Sequence, residues 1–369
     1  LLSFMLPEDA DGTDYQDLWL NIFLRAGQAG IFSVWGVGLI DRSGTTPEPD
    51  HNKWKYEQDR QNQDVKQYMG AVGIKHKIYV GEDASIQSTF ATTINNIDMH
   101  TELLGNDDRL LPKNIVRNTY LNFIALSDFQ KRFGRVHTNR TGIRWTGLRY
   151  DLTFADAAEY IGNLIEIADV SGFSSLVNIY SESMLTLGNK VKMNIGITGQ
   201  WFTLNDRYTI EPRLSVKWKF APRQSLSFAY GMHSRLEMLN YYFTKDENSR
   251  MINKDLDFTK AHHVSLGYDL SPGENLHLRI EPYFQWLYDV PVIPGSTFAM
   301  LNLQGNEDWF ISDQLINAGN AINYGIDITF EKYMSRGFYY MATASLYDSK
   351  YRTSDKGTWY DSGYNRHFA

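Results

Sequence analysis

With no cysteine among its 369 residues, the chain has no disulfide framework, no thiolate metal site and no cysteine nucleophile. It also lacks a run fit for a membrane helix. The longest markedly apolar stretch, residues 26–40, is broken by four glycines and falls short of the ~20 residues such a span needs. Helical spans are excluded; a membrane β-barrel is not. Neither charge sign dominates: 36 Lys and Arg stand against 43 Asp and Glu, a formal charge of −7. That excludes a disordered acidic tail, and a general nucleic-acid binder with its basic excess. The amino terminus, Leu1-Leu2-Ser3-Phe4-Met5-Leu6-Pro7, has no initiator methionine, basic region or small-residue cleavage site, and reads as a cut inside a longer protein. The length suits two or three domains, or one large all-β domain.

Aromatic residues are plentiful: 23 Tyr, 20 Phe and 9 Trp, 14% of the chain, beside 28 Gly. Strands favour them and helix interiors do not. Residues 207–220 decide the matter. Tyr208, Ile210, Pro212, Leu214, Val216, Trp218 and Phe220 alternate with Arg207, Thr209, Glu211, Arg213, Ser215, Lys217 and Lys219. A helix would gather Tyr208, Glu211, Pro212 and Ser215 on one face, whereas a period of two separates greasy from wet. Residues 224–238 and 276–290 repeat the pattern, and 191–203, 322–330 and 338–346 carry weaker versions. These runs exceed the ~5–6 residues of ordinary strands.

About fourteen strands follow, at 15–24, 30–41, 64–80, 84–102, 115–131, 138–154, 171–187, 190–204, 206–220, 224–243, 256–270, 275–291, 316–334 and 337–352, with a fifteenth beginning near Gly363. Short turns such as Gly188-Asn189 and Ala221-Pro222-Arg223 alternate with long polar loops such as 42–63, 244–255 and 292–315. Short turns at one end and long loops at the other describe an all-β, antiparallel up-and-down transmembrane β-barrel. The cause is that lipid offers the backbone no hydrogen-bond partners, so strands must satisfy one another and turn apolar groups outward. A soluble β-sandwich explains alternation but not the long runs. Tyr241, Tyr242, Phe243, Tyr339, Tyr340 and Trp286 are expected in the interfacial girdles. Pro212 and Pro282 fall inside strands and require a bulge or an edge. Residues 156–168, with Ala157, Tyr160, Ile161, Leu164, Ile165 and Ala168, also suit a short amphipathic helix.

Several strand texts are similar to a known family. Glu211-Pro212-Arg213-Leu214-Ser215, Ser225-Leu226-Ser227-Phe228-Ala229-Tyr230-Gly231, Tyr288-Asp289-Val290-Pro291-Val292 and Asn317-Ala318-Gly319-Asn320-Ala321-Ile322-Asn323-Tyr324-Gly325-Ile326-Asp327-Ile328 resemble the barrels of TonB-dependent outer-membrane receptors, in the style of Bacteroidota. The resemblance implies a barrel of 22 strands around a plug domain. Residues 1–369 would then be a partial β-barrel domain, with roughly six strands before Leu1, roughly two after Ala369, and the plug and TonB-contact segment outside the chain. It also implies active import of a scarce ligand, such as a siderophore, haem, cobalamin or an oligosaccharide, by loop capture and plug rearrangement. The partners implied are outer-membrane lipid, the plug, the inner-membrane TonB complex and a small ligand; no cofactor and no enzyme activity are implied. The alternatives are a passive channel of about fourteen strands for apolar solutes, whose interior needs less charge, and a barrel hydrolase.

Arg207, Glu211, Arg213, Lys217, Lys219, Arg235, Glu237, Arg279 and Glu281 occupy wet faces. They are candidates to line the lumen and hold a plug by charge-assisted hydrogen bonds, against the plainer view of a hydrated surface. Trp54, Tyr56, Trp309, Phe310, Trp359 and Tyr360 are the candidate ligand contacts, since a flat aromatic stacks on a sugar, haem or aryl group; packing within loops is the plainer view. His262 and His263 point to opposite faces and cannot share an ion. His137, His233 and His277 lack a second ligand at the right spacing, and Asp107-Asp108 reads as a solvated pair. No Ser or Asp with His stands out as a hydrolase cluster, and Asn139-Arg140-Thr141 is an uninformative glycosylation triplet.

Overall fold

A computed structural model describes residues 14–157, 162–303 and 311–368. They form one fifteen-stranded sheet whose strands lie in chain order, with antiparallel neighbours throughout. The strands are β1 (Asp14–Arg25), β2 (Ile31–Thr45), β3 (Gln61–Val80), β4 (Ala84–Leu104), β5 (Leu110–Phe133), β6 (His137–Asp156), β7 (Ile165–Leu187), β8 (Val191–Phe202), β9 (Arg207–Ala221), β10 (Gln224–Arg235), β11 (Thr259–Gly273), β12 (Leu276–Val292), β13 (Ile316–Ser335), β14 (Phe338–Arg352) and β15 (Tyr360–Asp361). Among the described residues β1 and β15 do not pair, so the sheet is open. Strands β3 to β7 hold 20 to 24 residues each, against 12 in β8. Segments expected as polar loops join the ladders there, because hydrogen-bond pairing continues where both faces have turned wet.

The orientation of side chains is inverted relative to a water-soluble protein. On β9 Tyr208 is 71% exposed and Trp218 48%, while Thr209 and Glu211 on the opposite face fall to 4% and 2%. Apolar groups therefore face outward and ionic groups inward, the arrangement lipid demands. Both prolines sit where a ladder pauses. The β9–β10 register ends at the Arg213–Gly231 pair, beside Pro212, and the β11–β12 register passes from Ser265–Tyr283 to Tyr268–Ile280, skipping Pro282. A missing N–H donor is harmless at such a gap.

Three expectations are corrected. The tenth strand stops at Arg235 and gives way to a single helical turn, α1 (Leu239–Tyr242), so Tyr241, Tyr242 and Phe243 are buried at 2%, 0% and 3% and belong to no girdle. Trp286 does face outward, stacked on His262 and tilted against Tyr288. Of Tyr339 and Tyr340, adjacent residues on opposite faces, Tyr340 packs beside Phe330. Residues 165–168 belong to β7 rather than a helix, since extended pairing with β6 satisfies their backbone; Tyr160 and Ile161 lie outside the described residues. The fifteenth strand is Tyr360–Asp361, pairing with Tyr351 and Lys350, and does not start at Gly363.

The largest apolar core lies at the long-loop end. Val116, Leu152, Phe154 and Phe202 project inward from strand ends and meet Tyr241, Tyr242, Phe243, Leu256, Phe258, Met300 and Leu315 from the loop segments at 236–258, 293–303 and 311–315. These loops form a folded cap. Buried Asn253 joins its two halves, donating to the Asp313 carbonyl at 3.0 Å and accepting from the Leu315 N–H at 2.8 Å.

Leu214→Arg, mid-strand on the outward face, is expected to cost about 2–4 kcal/mol in a bilayer refolding titration. Ser215→Arg, one residue along and inward, is expected to be far milder; equal penalties would contradict the facing.

Candidate functional site

Strand register carries one face around the sheet. Lys77 pairs with Gln87, Gln87 with Asp128, Asp128 with Gly142, Gly142 with Tyr180, Tyr180 with Thr198 and Thr198 with Glu211. The inward faces of β6 to β14 converge on a single cavity of about 1320 Å³, with Arg144, Glu211, Arg213, Glu281, Gln285 and Asn323 in its wall. One cavity touched by nine successive strands shows that the sheet curls, as a barrel wall must.

The wall is held by ionic hydrogen bonds. Glu211 Oε1 accepts from Gln200 Nε2 at 2.5 Å, from the Ser234 N–H at 3.0 Å and from Ser234 Oγ at 2.6 Å, while Oε2 accepts from Arg213 at 2.7 Å. Four donors satisfy this buried carboxylate, the condition under which burying a charge is tolerated. Asp128, equally buried, accepts from Arg140 at 2.7 Å and from the Tyr180 hydroxyl. Asp269 gathers Lys217 at 3.0 Å, Ser225 at 3.2 Å and His277 at 3.1 Å. Arg279 binds Glu281 at 2.6 Å.

Among the residues singled out from sequence, Glu211, Arg213 and Glu281 line the cavity, and Lys217 and Arg279 meet around Asp269. Arg207, Arg235 and Glu237 stand at the long-loop end. There Arg207 donates to the Asp255 carbonyl at 3.2 Å, and Glu237 accepts from Thr259 at 2.8 Å with Arg235 at 3.6 Å. Trp54 is wedged between His51, 4.1 Å between ring centroids, and Arg60 at 4.9 Å, and its indole N–H donates to the Glu48 carbonyl at 2.7 Å. Tyr56 is 70% exposed. Trp359 lies under Arg352 at 4.9 Å, and Tyr360 is tilted against Tyr351 with ring centroids 5.7 Å apart. None of these four lines the cavity; Trp309 and Phe310 lie outside the described residues.

Sequence reasoning missed one pair. His233 and His263 line the cavity with ring centroids 4.9 Å apart, edge to face. Their strands are joined by the long 236–258 loop, so no tight turn announced the register. Among the described residues no group of three or more His, Asp or Glu is placed to hold a metal ion. Ser225, Asp269 and His277 do come together, in the wrong order for nucleophilic catalysis. The serine donates to the carboxylate, and both imidazole nitrogens of His277 face carboxylates, Asp269 at 3.1 Å and Glu331 at 3.4 Å. No ring nitrogen is left to take a proton from the hydroxyl.

Residues 8–366 match the family described as TonB dependent receptor-like, beta-barrel. No curated protein sequence matches the chain. Among solved structures, the RagAB peptide transporter is similar at TM-score 0.64 and 12% identity, with 95% of this chain and 49% of that one covered. The ferric-catecholate import receptor Fiu of E. coli K12 gives 0.66 at 9% identity, covering 96% and 61%. P. aeruginosa FpvA bound to heterologous pyoverdines gives 0.67 at 10%, covering 95% and 50%. The chain thus spans 49 to 61% of the length of these structures. At such identities the likeness concerns the fold.

Glu211→Leu leaves the Arg213 guanidinium without its carboxylate inside the wall. That guanidinium is half exposed, but Gln200 and Ser234 also lose their acceptor, so the expected loss is about 1–3 kcal/mol, read as a lower temperature for loss of the compact gel-mobility form. Asn253→Ala is expected to cost about 1–3 kcal/mol locally, read as protease cleavage within 244–255 while the barrel's own gel mobility stays unchanged. In the same loop the Arg250 backbone N–H, with its guanidinium and the Asn248 N–H, holds the Asp246 carboxyl below its ordinary range. A depressed folded value means the stabilisation is present above the unfolded value of about 3.9 and is lost as pH falls through the folded one. Amide exchange at Asn248 and Arg250 is therefore expected to stay slow until the pH drops below ordinary carboxylate titration.

Proposed function

Because the chain belongs to the TonB-dependent receptor β-barrel family, we propose that it is the larger part of the wall of an outer-membrane active transporter, closed by further strands of a longer protein. Its location is the bacterial outer membrane. The transporter imports a scarce ligand: long loops capture it, and a plug domain in the lumen rearranges when the inner-membrane TonB complex pulls. The observation that carries this reading is the inward ionic wall around Glu211, Asp128 and Asp269, behind an outward apolar face. So many anchored charges suit a lumen that grips a protein surface, and suit poorly a passive conduit for apolar solutes.

Ligand chemistry within this reading spans siderophores, haem, cobalamin, oligosaccharides and peptides. The similar structures support the general class, being a peptide transporter, a ferric-catecholate import receptor and a pyoverdine-bound protein. Of the candidate loop aromatics among the described residues, Tyr56 is the one whose ring is mostly bare, and we assign it a contact with captured ligand. Trp54 and Trp359 already carry a guanidinium on one face and chiefly shape their loops.

The decisive experiment is expression of the whole parent protein, with sequencing upstream of Leu1. A plug-sized domain there and uptake abolished by removing TonB are the expected results; uptake independent of TonB would overturn the reading. With the ligand in hand, Tyr56→Ala is expected to weaken binding about two- to tenfold, matching the ~0.5–1.5 kcal/mol of an aromatic contact, in equilibrium titration by intrinsic fluorescence.

A further inference from the structure

The inward wall also carries charge that it does not itself balance. In the short-turn half of β3 to β9, several cations are neutralised: Arg132 by Asp83, Arg140 by Asp128 and Lys217 by Asp269. Five others on the same inward face, Lys75, Lys77, Arg144, Lys192 and Lys219, have no ion pair among the described residues. Their facing follows from register: Lys75 and Lys77 lead laterally to Gln87 and Asp128, Arg144 lines the cavity, Lys192 sits opposite Lys217, and Lys219 is one inward step beyond it. Lys77 rests over the Tyr79 ring at 5.1 Å. Lys192 stands directly opposite Lys217, whose charge Asp269 already takes up, so of that pair only Lys192 is left to be answered. Glu182, opposite Arg140, is the one strand carboxylate of this stretch that faces inward without an ion pair among the described residues.

We propose that this basic belt is the docking surface for an acidic polypeptide face, presented by the domain that fills the lumen. This rests on the receptor reading above and adds to it the sign of charge on the hidden partner. The argument is one of size and sign. From β3 to β9 the belt crosses six strand spacings of about 4.8 Å, roughly 29 Å, too broad for one small anion to answer. It lies in the short-turn half, away from the loops that meet solutes first. The chain as a whole is net negative, −7, so the positive excess is local.

The test uses the full-length receptor. Lys75, Lys77, Lys192 and Lys219 are changed together to Gln, with Lys66→Gln on the outward face of β3 as control. Release of the lumen domain by urea is followed by protease accessibility, and barrel integrity by gel mobility. In the parent, the half-release urea concentration is expected to fall as salt rises from about 0.01 to about 1 M, over which screening shortens from about 30 to about 3 Å. In the quadruple variant it is expected to be low already and indifferent to salt, with gel mobility unchanged; Lys66→Gln is expected to behave like the parent. Equal half-release values and equal salt responses in parent and quadruple variant would overturn the proposal. So would unchanged release together with impaired uptake of an anionic ligand, which assigns the belt to solute steering. A full-length chain with no lumen domain overturns the receptor reading itself, and is told apart by sequence alone.

Discussion

The structure depends on one constraint: a backbone in hydrocarbon has no partner except another strand. Each N–H and C=O in the spanning region must be answered laterally, and the ladders between neighbouring strands do this, pausing beside Pro212 and Pro282, which have no N–H to be answered. Once strands are edge to edge, every second side chain faces lipid, and the alternation on β9 follows. The ionic groups have only one place left. Glu211, Asp128 and Asp269 are driven inward, and having arrived there they must be hydrogen-bonded several times over. The polar wall is thus a product of the same requirement that builds the sheet.

A second consequence concerns where apolar packing can occur. A barrel wall one layer thick has no interior sandwich, so the ordinary hydrophobic core is absent from its middle. It appears where the chain leaves the membrane and loops fold back. Tyr241, Tyr242, Phe243 and Phe258 make that core with the inner residues of β5, β6 and β8, and Asn205, Asn253 and Asn317 stitch the loop backbones together. Water is the solvent there, and burial regains its usual driving force.

This division also explains what sequence alone reveals. Strands were legible because period-two patterning is a local signal imposed by lipid, and short turns fix register between hairpin partners. Boundaries drifted at the long-loop ends of β3 to β7, where both faces meet water and the period fades. The cap was invisible: its contacts, such as Asn253 to Asp313, join residues sixty positions apart, with no local pattern to betray them. Tyr241 to Phe243 were misplaced for the same reason, since an apolar triplet reads alike whether it meets lipid or a folded loop. Of the candidate site, the inward residues could be enumerated, but their partners could not. That Glu211 binds Ser234, or that His233 meets His263, depends on register across a long loop.

Unequal strand length shapes what approaches from outside. At about 3.3 Å per residue and a tilt near 45°, the 24 residues of β5 climb about 56 Å, nearly twice the ~30 Å hydrocarbon thickness, whereas the 12 residues of β8 climb about 28 Å. The upper edge of the wall is consequently a sloping parapet, tall along β5 and low along β8, where the cap of loops packs against Phe202. The short flank is therefore the one roofed by folded loops, and the lengths of neighbouring strands set where that roof rests.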